Sequence, residues 1–245
     1  MLFGKKKGKV PPFLHIPAQV VAIWGPAGNN TAPFSWELAR ELTKYARVML
    51  VELPCLGIPR LSFAANILDR NKHVEAALTE YWYKGQLAAD YLDEIEQNLA
   101  LLPICAFANP DNPLTARVAL DVLREFPVAL INSGRQKGYE VIIFVCQGQL
   151  TNPLTFFALK YAQRVIMPVN DPSAIAYTSL NIKKLVHTFQ FPLRKFTVVT
   201  PQYSEIISEV MWLKDEKQGT LPITVVREKI GEIVHSFMIR TCEAM

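Results

Sequence analysis

Val20-Val21-Ala22-Ile23-Trp24, then Gly25-Pro26-Ala27-Gly28-Asn29-Asn30-Thr31, then Phe34 to Ala46 is the stretch that decides the fold. An apolar run leads into a glycine-bearing loop. The loop leads into a segment whose apolar positions Phe34, Leu38, Leu42 and Tyr45 recur every three or four residues. The run reads as a strand buried on both faces, and the periodic segment as a helix with one apolar stripe. Strand, Gly-rich loop and helix in that order bring successive backbone N–H groups together at a helix N-terminus, where an anion can sit.

The same grammar continues outward. Apolar runs rich in Val and Ile recur at Arg47–Glu52, Leu99–Ile104, Glu140–Cys146, Arg164–Val169, Phe196–Thr200 and Pro222–Val226. Between them lie Leu114–Ile131 and Asp171–Phe189 with helical spacing, and Ile58–Asn98, which is long and helical in composition. Strands alternating with helices predict an α/β fold: a mainly parallel central sheet of about seven strands, with helices on both faces. In such a sheet the ligand site lies at the carboxyl ends of the strands, in the loops after Trp24, Glu52, Cys146 and Val169. Pro110-Asp111-Asn112-Pro113 and Thr151-Asn152-Pro153 read as turns leading into helices. Tyr81, Trp82 and Tyr83 read as core or helix-packing rings, with a binding surface as the alternative.

These pieces resemble, in order, the MinD/ParA family of deviant Walker ATPases. The family has a loop of the form G-x-K-G-G-x-G-K-[ST]-[ST] and a helix ending in L-A-x-x-L, which Leu38-Ala39-Arg40-Glu41-Leu42 fits. Val48 to Glu52 is similar to its V-L-L-V-D strand, Asn98 to Pro103 to its "n-l-x-v-L-P", and Gly138 to Ile143 to "Y-D-Y-V-I-I-D". Ala162 to Val169 is similar to "A-D-x-V-l-i-P-v". The likeness spans roughly residues 18 to 226 and implies a P-loop NTPase-like fold of the SIMIBI type.

The chemistry that the family pattern calls for is missing. Residues 25–35 contain no lysine or arginine. Ala27 occupies the place of the signature lysine, Thr31 or Ala32 that of the second lysine, and Pro33 or Ala32 that of the magnesium-binding hydroxyl. Pro26 removes one N–H donor from the loop. The family's aspartate after the second strand, which helps to activate the attacking water, is replaced by Glu52, and the aspartate ending the Walker B strand by Phe144. Cationic clamp, metal ligand and water-positioning acid are all three absent. The resemblance therefore implies a degenerate member with no catalytic residue and no metal. Gly25, Gly28, Asn29, Asn30, Thr31 and Ser35 are left as a vestigial nucleotide loop, to which ATP or ADP could bind weakly, and Gln147-Gly148-Gln149 could add polar contacts. Asn30 or Thr31 can cap the helix, Pro33 suits its first turn, and Glu37 lies near its favourable dipole end.

Charge narrows the partners. Four basic side chains are Lys5, Lys6, Lys7 and Lys9; the remaining 22 balance the 22 acidic ones, so the body is neutral and shows no broad nucleic-acid face. Residues 1–17 read as a basic flexible tail, solvated or in peripheral contact with anionic lipid or nucleic acid, and 18–245 as one domain. Cys55, Cys105, Cys146 and Cys242 are too far apart for a zinc site or a redox dithiol, and Cys105 and Cys146 read as buried thiols in a reducing cytosol. His15, His73, His187 and His235 are equally scattered. Arg227–Met245 carries an apolar stripe (Ile230, Ile233, Val234, Phe237, Met238) with a mixed polar face. It is expected to pack on the sheet or on a second subunit rather than on lipid.

Within the family, the TadZ/CpaE-like branch of pilus assembly proteins tolerates atypical nucleotide loops, and this chain looks like its ATPase-like domain. The implied role is a bacterial, cytoplasmic, dimer-forming scaffold for a membrane-associated Tad/Flp-like pilus or secretion complex, peripheral at the inner face of the membrane if the tail engages it. A nucleotide-binding switch without turnover, and a plasmid or chromosome partition protein, are the alternatives.

Overall fold

The computed structural model describes residues 19–26, 31–54, 59–68, 71–87, 91–108, 113–148, 150–169, 171–200, 212–215, 219–222, 224–227, 230–231 and 233–234. Its strands are β1 (Gln19–Gly25), β2 (Val48–Glu52), β3 (Asp93–Glu96), β4 (Leu99–Leu102), β5 (Val141–Gln147), β6 (Arg164–Pro168), β7 (Phe196–Thr200), β8 (Trp212–Asp215), β9 (Gly219–Pro222) and β10 (Thr224–Arg227). The helices are α1 (Ala32–Leu42), α2 (Arg60–Ala64), α3 (Val74–Lys84), α4 (Leu120–Gln136), α5 (Pro153–Tyr161) and α6 (Pro172–Phe189).

Eight strands form one sheet in the order β10-β7-β6-β1-β5-β2-β4-β3. Every neighbouring pair is parallel except β3 and β4, so the seven parallel strands expected from the apolar runs carry one antiparallel edge. Successive side chains of a strand point to opposite faces. Val21 and Ile23 of β1, Leu50 of β2 and Ile143 and Val145 of β5 therefore pack with Phe34, Leu38 and Leu42 of α1. Ala22, Trp24, Met49, Val51 and Phe144 pack on the other face with α3, α4, α5 and α6. Both faces are covered, which is why the runs lack polar alternation. Burying one such Leu or Ile stabilises the fold by about 1.5–3 kcal/mol. The approach of α4 is close: a Cβ on Gly134 would lie 2.8 Å from Met49 Sδ and 2.9 Å from Ile142 Cδ1.

Several sequence expectations need correction. Ile58–Asn98 is not helical throughout: it holds α2, α3 and then β3. The acidic β3 is held at the sheet edge by cations, with Lys72 Nζ 3.0 Å from Asp93, Arg47 Nη2 3.8 Å from Glu94 and Arg40 Nε 3.1 Å from Glu96. Asn98 turns the β3–β4 hairpin at φ +67°, a left-handed conformation that Asn tolerates. Leu114–Ile131 is a 3₁₀ turn (Leu114–Ala116) followed by α4, interrupted because Ala119 is extended (ψ 144°). The first helix stops at Leu42 rather than Ala46. The last strand begins at Thr224, and Pro222 belongs instead to the β8–β9 hairpin, which the sequence reading missed. Tyr81 packs on Phe126 as expected, but Tyr83 is 75% exposed, with Trp82 stacked beside it. Cys146 is buried whereas Cys105 is only half-buried. Ile233 and Val234 are buried in the α1-side core, so the start of the C-terminal segment packs on the sheet.

Lys195, just before β7, is buried. Its ammonium donates 2.9 Å to the carbonyl of Lys160 in the last turn of α5, and lies 4.9 Å from the Phe191 ring centroid. A cation suits a helix C-terminus. Desolvation nevertheless lowers its pKa to about 8. Among the described residues, no helix is long and apolar enough to cross a membrane.

Candidate functional site

Seven strands run parallel, so their carboxyl ends lie along one edge of the sheet. Gly25, the last residue of β1, is level with Gln147, the last of β5. Of the vestigial loop, Gly25 ends β1, Thr31 directly precedes α1 and Ser35 lies within it. Gly28, Asn29 and Asn30 lie outside the described residues, as do Gln149, Cys55, Cys242, His15, His235 and the lysines at 5, 6, 7 and 9.

Thr31 occupies the N-cap position of α1 but does not cap it. Its backbone is helical (φ −82°, ψ −13°) instead of extended, so the side chain is not directed at the first N–H groups. Thr31 Oγ1 is buried without a hydrogen-bond partner. The Ser35 hydroxyl donates 2.6 Å to the Thr31 carbonyl, and both residues are fully buried. That hydroxyl is engaged in closing the first helical turn. Ala32, the first residue of α1, is also buried, and Pro33 follows it in the first turn as expected, while Glu37 is exposed one turn on.

Glu52 closes β2 and is fully buried. Its carboxylate accepts backbone N–H bonds from Arg60 (3.0 Å) and Leu61 (3.2 Å) at the start of α2, and from Ile104 (3.3 Å) beyond β4. Desolvation by burial raises its pKa to about 7 against the opposing pull of those three amides, and the charge of Glu75 pushes the same way as burial. Glu75 Oε2 in turn accepts 2.9 Å from the N–H of Cys105 and lies 3.2 Å from His73 Nδ1.

Phe144 lies inside β5, level with Ala22 and Val51, and is fully buried in the core. Val145, not Phe144, is level with Glu52. No residue of β5 (Val141–Gln147) is acidic. No group of three or more His, Cys, Asp or Glu side chains among the described residues is placed to hold a metal ion.

Two side chains make hydrogen bonds between these strand ends that the sequence did not reveal. Trp24 Nε1 donates 2.9 Å to the Gly148 carbonyl, bridging β1 to the loop after β5. Asn152 accepts 2.9 Å from Leu154 N–H, capping α5, and donates 3.0 Å to the Pro54 carbonyl after β2. The Asn152-Pro153 turn was a visible helix-start signal; its reach across to Pro54 was not.

The fold has counterparts among solved structures. A plasmid partition protein of Borrelia burgdorferi bound to AMPPNP is 12% identical, with 91% of this chain and 99% of that one covered at a TM-score of 0.62. MinD of Pyrococcus horikoshii with Mg-ADP is 14% identical, with 91% and 86% covered at 0.60. A ParA-family ATPase of Chlorobium tepidum is 15% identical, with 90% and 88% covered at 0.58. The fold is that of the MinD/ParA P-loop ATPases. The chain matches no protein-family model, and no curated protein matches it in sequence. The likeness to MinD and ParA structures is therefore one of backbone, at an identity that carries no chemistry with it.

Proposed function

We propose that this chain is a non-hydrolysing MinD/ParA-like protein that acts as a localisation or assembly scaffold, self-associating without nucleotide, for a membrane-associated pilus or secretion machine of the Tad/Flp kind. The observation that carries the reading is the fate of Glu52. The acid at the place of the water-activating aspartate is fully buried and spends both oxygens on the backbone of α2 and of Ile104, just beyond β4. The loop without a lysine and the strand β5 without an acid support the same conclusion. With the fold kept and phosphoryl-transfer chemistry gone, the surface is what remains to be used, and the TadZ/CpaE-like branch is where the sequence resemblance finds such loops.

A fluorescent fusion in the native host tests the role. Foci at the cell envelope that disperse when the pilus or secretion ATPase gene is deleted support the scaffold. The partition reading is favoured by the full-length match to a plasmid partition protein. It expects a signal that follows the nucleoid or a plasmid, and that pattern would contradict the scaffold.

A further inference from the structure

We propose that a groove along α3 is a docking site for an arginine side chain presented by a partner protein, with the Tyr83 ring and the Glu80 carboxylate as its two contacts. The inference goes beyond the scaffold role and does not depend on it.

The groove follows from how α3 packs. Val74, Ala77 and Leu78 are buried in the core, so Ala76, Thr79, Glu80 and Tyr83, three or four residues apart, line the opposite, open side. Ala76 and Thr79 are small, and they leave an open depression of about 410 Å³ that is also lined by Tyr91, just ahead of β3. Tyr83 lies towards the C-terminal end of the helix. It is 75% exposed, and its ring stacks on Trp82 with 5.2 Å between centroids and 22° between planes. The run Tyr81-Trp82-Tyr83 is thus divided: Tyr81 packs on Phe126, while the other two rings form a braced surface that the core does not use.

Charge on this surface calls for a cation. Glu80 Oε2 accepts from the Tyr91 hydroxyl, and Glu80 Oε1 lies 2.7 Å from Lys84 Nζ. Glu75 is a second acid in the lining, its Oε2 taken by the Cys105 N–H and by His73. Tyr83 and Lys84 belong to the last turn of α3, where the outward carbonyls favour positive charge. Lys84 already answers that demand from within the helix, but its side chain is 63% exposed and an exposed i,i+4 pair is weak. A guest cation can therefore displace it from Glu80 Oε1. Arginine fits better than lysine. Its planar guanidinium stacks on a tyrosine face while its N–H groups, lying in the same plane, donate to a carboxylate beside the ring. Its apolar stem can lie along Ala76 and Thr79.

Shift mapping by NMR on the full chain, titrated with a capped Gly-Gly-Arg-Gly-Gly peptide, reads the site. The Thr79, Glu80, Tyr83 and Lys84 amides should move together, and those of Val21 and Ile23 in β1 should not. The same peptide with citrulline for arginine is isosteric and uncharged. It should bind about tenfold more weakly, and it tests the site without altering the protein. Glu80→Gln, which keeps an acceptor for Tyr91, should weaken binding by about tenfold, and Tyr83→Ala by about threefold. Lys84→Gln removes the tethered competitor and should strengthen binding by about twofold. No movement at these amides, equal binding of the citrulline peptide, or an affinity unchanged in Glu80→Gln, Tyr83→Ala or Lys84→Gln would overturn the proposal. So would spermidine moving the same amides at equal affinity, which would make the groove a site for small cations, or tighter binding of a peptide with glutamate in place of arginine.

Discussion

Trp24 and Gly148 are joined across the carboxyl edge of the sheet: the indole N–H at the end of β1 donates 2.9 Å to the carbonyl that follows β5. Trp24 is 0% exposed, so its ring also fills the core beneath that loop. Trp24→Phe removes the donor and leaves a gap the size of the lost ring atoms. We expect a loss of about 2–3 kcal/mol in stability, measured by urea denaturation. A loss below about 0.5 kcal/mol would mean that the bridge does not brace the edge.

On the proposed reading, adding a single lysine to the first loop should not produce turnover. Ala32→Lys places an ammonium in a buried position (Ala32 is 4% exposed) at the positive end of α1. The variant should be destabilised by about 2–4 kcal/mol and release no phosphate from ATP, because neither a metal-binding acid nor a free water-positioning acid accompanies the lysine. Phosphate release above background in this variant would show that the acidic groups have been misplaced.

Lys195 gives a pH dependence of known sign. Its pKa is about 8 in the folded protein against an ordinary 10.5. Below pH 8 both states are charged and the desolvation penalty is present in full. Between pH 8 and 10.5 the folded state sheds the proton first, so the unfolded state binds more protons and stability rises with pH. Relative to Lys195→Met, the wild type should gain about 2 kcal/mol between pH 7.5 and 10. The check is paired denaturation curves at the two pH values; a constant difference would contradict it.

What the sequence disclosed follows from how each element is stabilised. Val20–Trp24 and Val141–Cys146 are legible because strands buried on both faces need apolar side chains at every position. Asp93–Glu96 was not, because three of its four residues are acids, and the strand exists through β4 and the cations Lys72, Arg47 and Arg40, which lie far off in sequence. The loop's lack of lysine needs no structure to be seen. Thr31, by contrast, looked like a helix cap, and only its backbone angles reveal that it is not one. Glu52 read only as the residue standing where the family has its water-activating aspartate. Its real partners, the amides of Arg60, Leu61 and Ile104, are visible only once β2, α2 and β4 are brought together.

The central claim is that nucleotide plays no part in how this protein associates. Ala27 supplies no lysine to reach a partner's phosphates, and residues 25–35 carry no positive charge for a phosphate to neutralise. A ligand without differential affinity for two states cannot shift the balance between them. Analytical ultracentrifugation across a concentration series, with and without saturating ATP and magnesium, is the direct measurement. The account predicts the same monomer–dimer constant in both conditions. A shift of tenfold or more, about 1.4 kcal/mol of coupling, would contradict it and make the protein a nucleotide-responsive switch.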